Sequence, residues 1–227
     1  MNNNNASYPR ARVSAEQGDS HTKELIADSV HDIIITAFPK LYPNLCHAYA
    51  VVGSNLASIV LGKNYRPVAG LAIVDAGNGH FLGLINNASF SSAVGGNYHC
   101  WIHSCDAHPV DVELVDFSFR NNKVYAEAHG IQWAKRDQDF LWGPERELNV
   151  GGNPIPLPKS YDEGKGWFCE TPEGSQWMNS EVSANADVYV KLTALALRYF
   201  ERFHSERIDA PPPLLEPVAQ RFGHQSP

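Results

Sequence analysis

Three residues of this chain could together break or transfer an acyl bond: Cys46, His99 and Asp116. An ionised thiol is a strong nucleophile, an imidazole takes and returns protons near neutral pH, and a carboxylate fixes that imidazole's tautomer and orientation. Cys46 lies in the run Lys40 to Val52, K-L-Y-P-N-L-C-H-A-Y-A-V-V. Asn44 is a good helix N-cap, and the apolar run Leu45 to Leu61 reads as a buried helix that stops at Gly62. Cys46 is therefore expected in the first turn. There the unpaired N–H groups and the positive end of the helix favour a thiolate and could hold an oxyanion. The Cys46 N–H is one oxyanion donor; Asn44 and Tyr42 stay open for the second, each also having a local role as cap or packing residue.

The base has to come from the strands that follow. In the segment Tyr98 to His103, alternation sends His99, Trp101 and His103 to one face. In Val112 to Phe119 the residues Val112, Leu114, Asp116 and Ser118 share a face. Both faces of that second segment are largely apolar, so Asp116 is expected to be buried, where a carboxylate needs a partner. With a hairpin midpoint between Ala107 and His108, His99 faces Asp116 directly, at a Cβ separation of about 4.5–5.5 Å. A slip of one residue would turn one of the pair to the opposite face, and His103 is the substitute for His99.

The elements that position these residues can be read in order. Residues 1–19 are Asn-rich and aperiodic and read as a disordered tail. Ser20 caps a helix with Ile26, Val30, Ile33 and Ile34 at helical spacing, ending near Pro39. After the Leu45–Leu61 helix the period changes to that of strands: R-P-V-A-G-L-A-I-V-D-A, a D-A-G-N-G-H turn, then F-L-G-L-I. A polar loop follows at 86–97, then the two strands described above, then R-N-N-K as a turn into a further strand, K-V-Y-A-E-A. Residues 130–180, rich in Pro, Gly and Trp, read as short strands and a loop over one end of the sheet. In that region Lys135, Arg136, Asp137, Gln138 and Asp139 read as a solvated turn or a pocket border. Asn185 to His204 is an amphipathic helix, and the P-P-P segment beyond it marks 208–227 as an extended tail. Helices followed by antiparallel strands in series predict an α+β domain over 20–207 rather than a doubly wound sheet.

Composition narrows the function classes. A hydrophobic content of 43% with 19% charged residues fits a soluble globular chain, and the net charge of −7 gives no basic surface for nucleic acid. No window reaches the ~18 apolar residues of a membrane span, and the N-terminus lacks a signal-peptide core. A cytoplasmic location with reduced thiols is the expectation for the four cysteines, which lack a disulfide-framework spacing. No organic cofactor is called for.

Cys46 opening a buried helix, then H-C-W-I-H with His99 and Trp101, then L-V-D-F with Asp116, resembles the transglutaminase-like branch of the papain-like cysteine superfamily. Arylamine N-acetyltransferases share that order and similar spacing. The likeness covers roughly residues 40–120. It implies a papain-like or transglutaminase-like core, a central helix packed on an antiparallel sheet, and a Cys46–His99–Asp116 triad. The chain departs from that pattern where Leu45 replaces the usual tryptophan before the cysteine and where the Cys46–His99 interval is longer than in many relatives. The triad implies a protein, peptide or small-molecule substrate attacked at an amide, ester or thioester carbonyl. It does not choose between hydrolysis and transfer to an amine. The rival reading is a zinc-binding or non-catalytic binding module built on His99, Cys100, His103, Cys105 and His108, which are zinc-ligand types but match no standard ribbon or finger spacing.

Overall fold

The apolar run after Pro43 is helical in the computed structural model, which describes residues 8–84, 98–105 and 112–204. Helix α2 (Cys46–Leu61) is buried from His47 through Ser54 and again at Leu56 and Ala57, so it lies inside the fold with little exposed face. It ends where Gly62 takes the left-handed conformation, φ 64°, which glycine adopts without a Cβ penalty. Its start differs from expectation: Leu45 is the cap and has no side-chain cap bond, while Asn44 closes a 3₁₀ turn over Tyr42–Asn44. Pro43 favours that tight turn, and its fixed φ brings the chain sharply into α2.

Helix α1 (Tyr8–Ala37) starts well before Ser20, so residues 8–19 are helical and the expected tail is corrected. Apolar period reports burial, and a polar stretch of good helix formers with Pro9 in its first turn can extend a helix that is anchored farther on. Residues 1–7, the 86–97 loop and the 208–227 tail lie outside the described residues.

Among the described residues six antiparallel strands follow: β1 (Tyr65–Gly77), β2 (His80–Leu84), β3 (His99–Ser104), β4 (Glu113–Asp116), β5 (Leu141–Pro144) and β6 (Gly166–Glu170). Their order is β2-β1-β3-β4-β5, with β6 paired to β1. The fold is α+β. Alternation along β3 serves two cores. Cys100 and Ile102 face helices α1, α2 and α6 (Ala186–His204), while Trp101 packs with Val68, Ala72, Leu114 and Phe168 on the other side of the sheet.

Two local readings are corrected. The second strand of the central pair stops at Asp116, and residues 117–120 form a turn. The segment after that turn is helix α3 (Asn121–Ala128), not a strand. Its buried residues Asn122 and Ala126 are four apart, the helical interval, while Val124 is exposed, so the V-Y-A-E-A alternation was a coincidence of five residues. The region 130–180 contains β5, the short helix α4 (Glu145–Leu148), β6, and α5 (Pro172–Ala184), whose cap Thr171 accepts a bond from the Gly174 N–H at 3.0 Å. Among the described residues no helix is long and apolar enough to cross a membrane.

Strand β1 changes partners at one residue. Gly70 pairs with His99 of β3 and with Glu170 of β6, and a Cβ there would lie 2.1 Å from the Cys169 carbonyl oxygen. Only glycine lets β6 approach this closely beside His99. Gly70→Ala is expected to cost about 1–3 kcal/mol by forcing the strands apart, read as a lowered urea midpoint. An unchanged midpoint would mean that β6 shifts freely.

Candidate active site

Cys46 is the first residue of α2, and the helix's own hydrogen-bond ladder begins two residues later with the Ala48 N–H donating to Leu45 O at 2.9 Å. The Cys46 N–H therefore lies at the helix mouth ahead of that ladder. The half-buried Cys46 thiol reaches the end of β3, where its Sγ is 3.5 Å from the Tyr98 carbonyl oxygen.

His99 and Asp116 meet as expected, by a route that differs from expectation. His99 Nε2 is 2.8 Å from Asp116 Oδ2, and the two residues are 5% and 1% exposed, so solvent does not dilute the interaction. The strands pair Ile102 with Val115 and His103 with Leu114. Continuing that register sets Asp116 opposite Trp101, two residues along from His99. Because side chains repeat every two residues, a shift of two keeps both groups on one face, and the imidazole spans the diagonal. The other Asp116 oxygen accepts the Ser118 N–H at 2.9 Å and the Ser118 hydroxyl at 2.7 Å, so both carboxylate oxygens are bound.

With Nε2 committed to Asp116, the second ring nitrogen of His99 is left for the Cys46 sulfur, whose interaction with the imidazole is among the causes that raise the His99 pKa. Burial opposes the imidazolium charge, but the Asp116 carboxylate and the Cys46 sulfur outweigh it and push His99 up to about 10. The Cys46 thiol is held well below the ordinary range. A hydrogen bond with Cys100 contributes most and burial opposes it; hydrogen bonds with His47 and His99 and the imidazolium charge add to the lowering. The two shifts, Cys46 downward and His99 upward, both favour a thiolate–imidazolium pair.

Aromatic rings fix the imidazole in place. Trp101, 1% exposed, stacks on His99 with ring centroids 6.1 Å apart and planes at 23°, and Phe168 of β6 lies 6.2 Å from the same ring. His103 is not an equivalent base. Its Nε2 accepts the Trp101 Nε1–H at 3.0 Å, and burial lowers its pKa. Although Glu145 lies 3.8 Å from the same nitrogen, the accepted bond keeps that nitrogen unprotonated.

Three residues beside Cys46 were not identified from sequence. Cys100 points to the helix side of β3, opposite to His99, and meets Cys46 because that thiol sits at the strand's end, within reach of both faces. His47, buried in the first turn of α2, hydrogen-bonds Cys46. Trp177 of α5 lies edge-on to His47 at 5.9 Å and tilted against Tyr98 at 5.7 Å, forming a wall next to the thiol. Residue pattern could have paired Cys46 with its neighbour His47, but nothing local signals Trp177. Of the two residues considered for the second oxyanion donor, Asn44 is exposed in the 3₁₀ turn, and the Tyr42 carbonyl accepts from Leu45 N and Asn121 Nδ2.

Among the described residues no group of three or more His, Cys, Asp or Glu side chains is placed to share a metal ion. His99, Cys100 and His103 are each turned to the partners given above; His108 lies outside the described residues. Lys135 forms an ion pair with the buried Asp75 at 2.8 Å, and with Arg136 and Gln138 it borders a small pocket closed by Asp162 and Lys165.

No family model and no curated protein matches this chain. One solved structure, the crystal structure of a genomics target, is similar at a TM-score of 0.55 and 12% identity, covering 86% of this chain and 82% of the other. At that identity the likeness concerns the fold alone.

Iodoacetamide labelling of Cys46 should stay nearly constant from mildly acidic pH up to about 10, where His99 loses its proton. His99→Ala should lower the rate at neutral pH, because the imidazolium's share of the thiolate's stabilisation is lost while that of Cys100 and His47 remains. A labelling curve rising through the ordinary thiol range in the unmodified protein would contradict the ion pair.

Proposed function

We propose that the protein is a cysteine-dependent hydrolase or acyltransferase with a papain-like or transglutaminase-like core, acting on amide, ester or thioester carbonyls. The observation that carries this reading is His99, held at 2.8 Å by the buried carboxylate of Asp116 and acting on the ionisation of the Cys46 sulfur. Supporting it is the placement of those groups, a nucleophile at the mouth of a buried helix and its base on an adjoining antiparallel strand.

In this reading the Cys46 thiolate attacks the carbonyl carbon, forming a C–S bond while the carbonyl electrons move to oxygen. The resulting oxyanion faces the Cys46 N–H at the helix mouth. His99 donates its proton to the departing amine, alcohol or thiol, and the tetrahedral species collapses to a thioester on Cys46. Neutral His99 then takes a proton from water, giving hydrolysis, or from an incoming amine, giving transfer. When the C–S bond breaks, sulfur leaves as the thiolate and the proton stays on His99, which restores the starting pair. Asp116 holds the ring in the tautomer that aims the second nitrogen at sulfur, and Ser118 holds Asp116. No step calls for a cofactor.

The test is intact-mass detection of an acyl adduct after incubation with nitrophenyl esters, peptide thioesters and glutamine-containing peptides. An adduct mapped to Cys46 and missing from Cys46→Ala supports the reading. Failure of every donor, on protein whose Cys46 is still rapidly alkylated by iodoacetamide, would instead make this a binding fold. Given a turned-over donor, Asp116→Asn is expected to lower kcat by roughly two to four orders of magnitude, the range of general acid–base assistance, with little change in KM.

A further inference from the structure

The Tyr98 carbonyl oxygen lies 3.5 Å from Cys46 Sγ and 3.9 Å from Cys100 Sγ. Each sulfur also acts on the other's ionisation, lowering that of Cys46 and raising that of Cys100. Two sulfurs that share one acceptor atom lie within reach of a common position, where a disulfide can form. They differ in access: Cys46 is half-buried at the helix mouth, whereas Cys100 is 1% exposed behind it. An oxidant can therefore meet Cys46 first, and Cys100 is placed to resolve the product. The other two thiols, Cys105 and Cys169, have no such neighbour among the contacts of the site.

We propose that Cys46 and Cys100 form a peroxide-driven, reversible disulfide that switches off the nucleophile. The switch rests on the reading of Cys46 as an ionised nucleophile and supplies its regulation. In the first step the Cys46 thiolate attacks one oxygen of a hydroperoxide, and the O–O bond breaks. Cys46 becomes a sulfenic acid, having given up two electrons, and the departing hydroxide or alkoxide takes the His99 proton. In the second step the Cys100 sulfur attacks the Cys46 sulfur and the S–O bond breaks. The hydroxide leaves as water with the Cys100 proton, and the S–S bond remains. A dithiol reverses this by two exchanges and is itself oxidised. Without Cys100, a second equivalent of peroxide would carry Cys46 to the irreversible sulfinic acid.

The full chain, with Cys105→Ser and Cys169→Ser to remove competing thiols, is treated with two molar equivalents of hydrogen peroxide and analysed by intact mass and by non-reducing peptide mapping. The expected product is lighter by two hydrogens and contains a cross-linked pair of peptides bearing Cys46 and Cys100. Iodoacetamide labelling of Cys46 should fall at least tenfold and return fully with dithiothreitol. In a further Cys100→Ala or Cys100→Val variant, the same dose should add two oxygens to Cys46, and dithiothreitol should restore nothing. If Cys46 in the parent instead accumulates two oxygens as fast as in the variant, with no cross-linked pair, the proposal is overturned. The cross-link is read without any variant at Cys100, so misfolding of that variant does not remove the test. A cross-link without acyl adducts from any donor would sink the proposed catalysis and leave the switch standing; adducts without a cross-link would do the reverse.

Discussion

The buried bond between Asp116 and His99 is the constraint around which the rest is arranged. Taking an ion out of water costs several kcal/mol even after relaxation, and only good geometry with every lone pair satisfied offsets it. Asp116 achieves this with His99 on one oxygen and Ser118 on the other. That demand explains why β4 stops where it does. The turn beginning at Phe117 folds Ser118 back onto the carboxylate, which a continued strand would not allow. It also drives the Phe117 ring into a notch in α2 at Gly53, where a Cβ would come within 2.4 Å of the ring. The same few residues thus hold the carboxylate and fix the helix that carries the thiol.

The site is electrically self-contained. Two protons and three titratable groups, Cys46, His99 and Asp116, are arranged so that each charge has an opposite neighbour within a hydrogen bond. A second charged network on the sheet is separate. Arg66 grips Glu170 by two bonds of 2.8 Å, and Ser175 adds a third contact to the same carboxylate, holding it down at about 2. His103 lies between the two networks but accepts from Trp101, so it passes no charge to His99. The stacked Trp101 ring contributes a polarisable wall in place of water, which strengthens the electrostatics inside it.

What could be read from sequence was whatever depends on period. The apolar run of α2, its stop at Gly62, and the shared face of His99 and Asp116 follow from repeats of 3.6 and 2, and all three are found. The register was off by two residues, and the pair survived because alternation is insensitive to even shifts. Cys100 lies on the face opposite to His99, as alternation requires, but its interaction with Cys46 could not be read from that. Alternation assigns a face, but a thiol at the end of a strand can contact residues of both faces. Asn44 looked like a cap, yet Pro43 tightened the turn and moved the cap to Leu45. Helix α3 was lost because five residues with alternating polarity fit either period, and only burial at a spacing of four decides between them. Trp177 depends on a tertiary contact between distant segments, and no local pattern encodes that.

The partner exchange along β1 has a consequence for substitution. Up to Gly70 the strand supports β3, which carries the imidazole; beyond it the strand supports β6, which leads into α5 and its Trp177 wall. The His99–Asp116 pair and the Trp177 wall therefore hang from different stretches of one strand. Substitutions in the β6–α5 segment can reshape what borders the thiol while the imidazole and carboxylate keep their alignment.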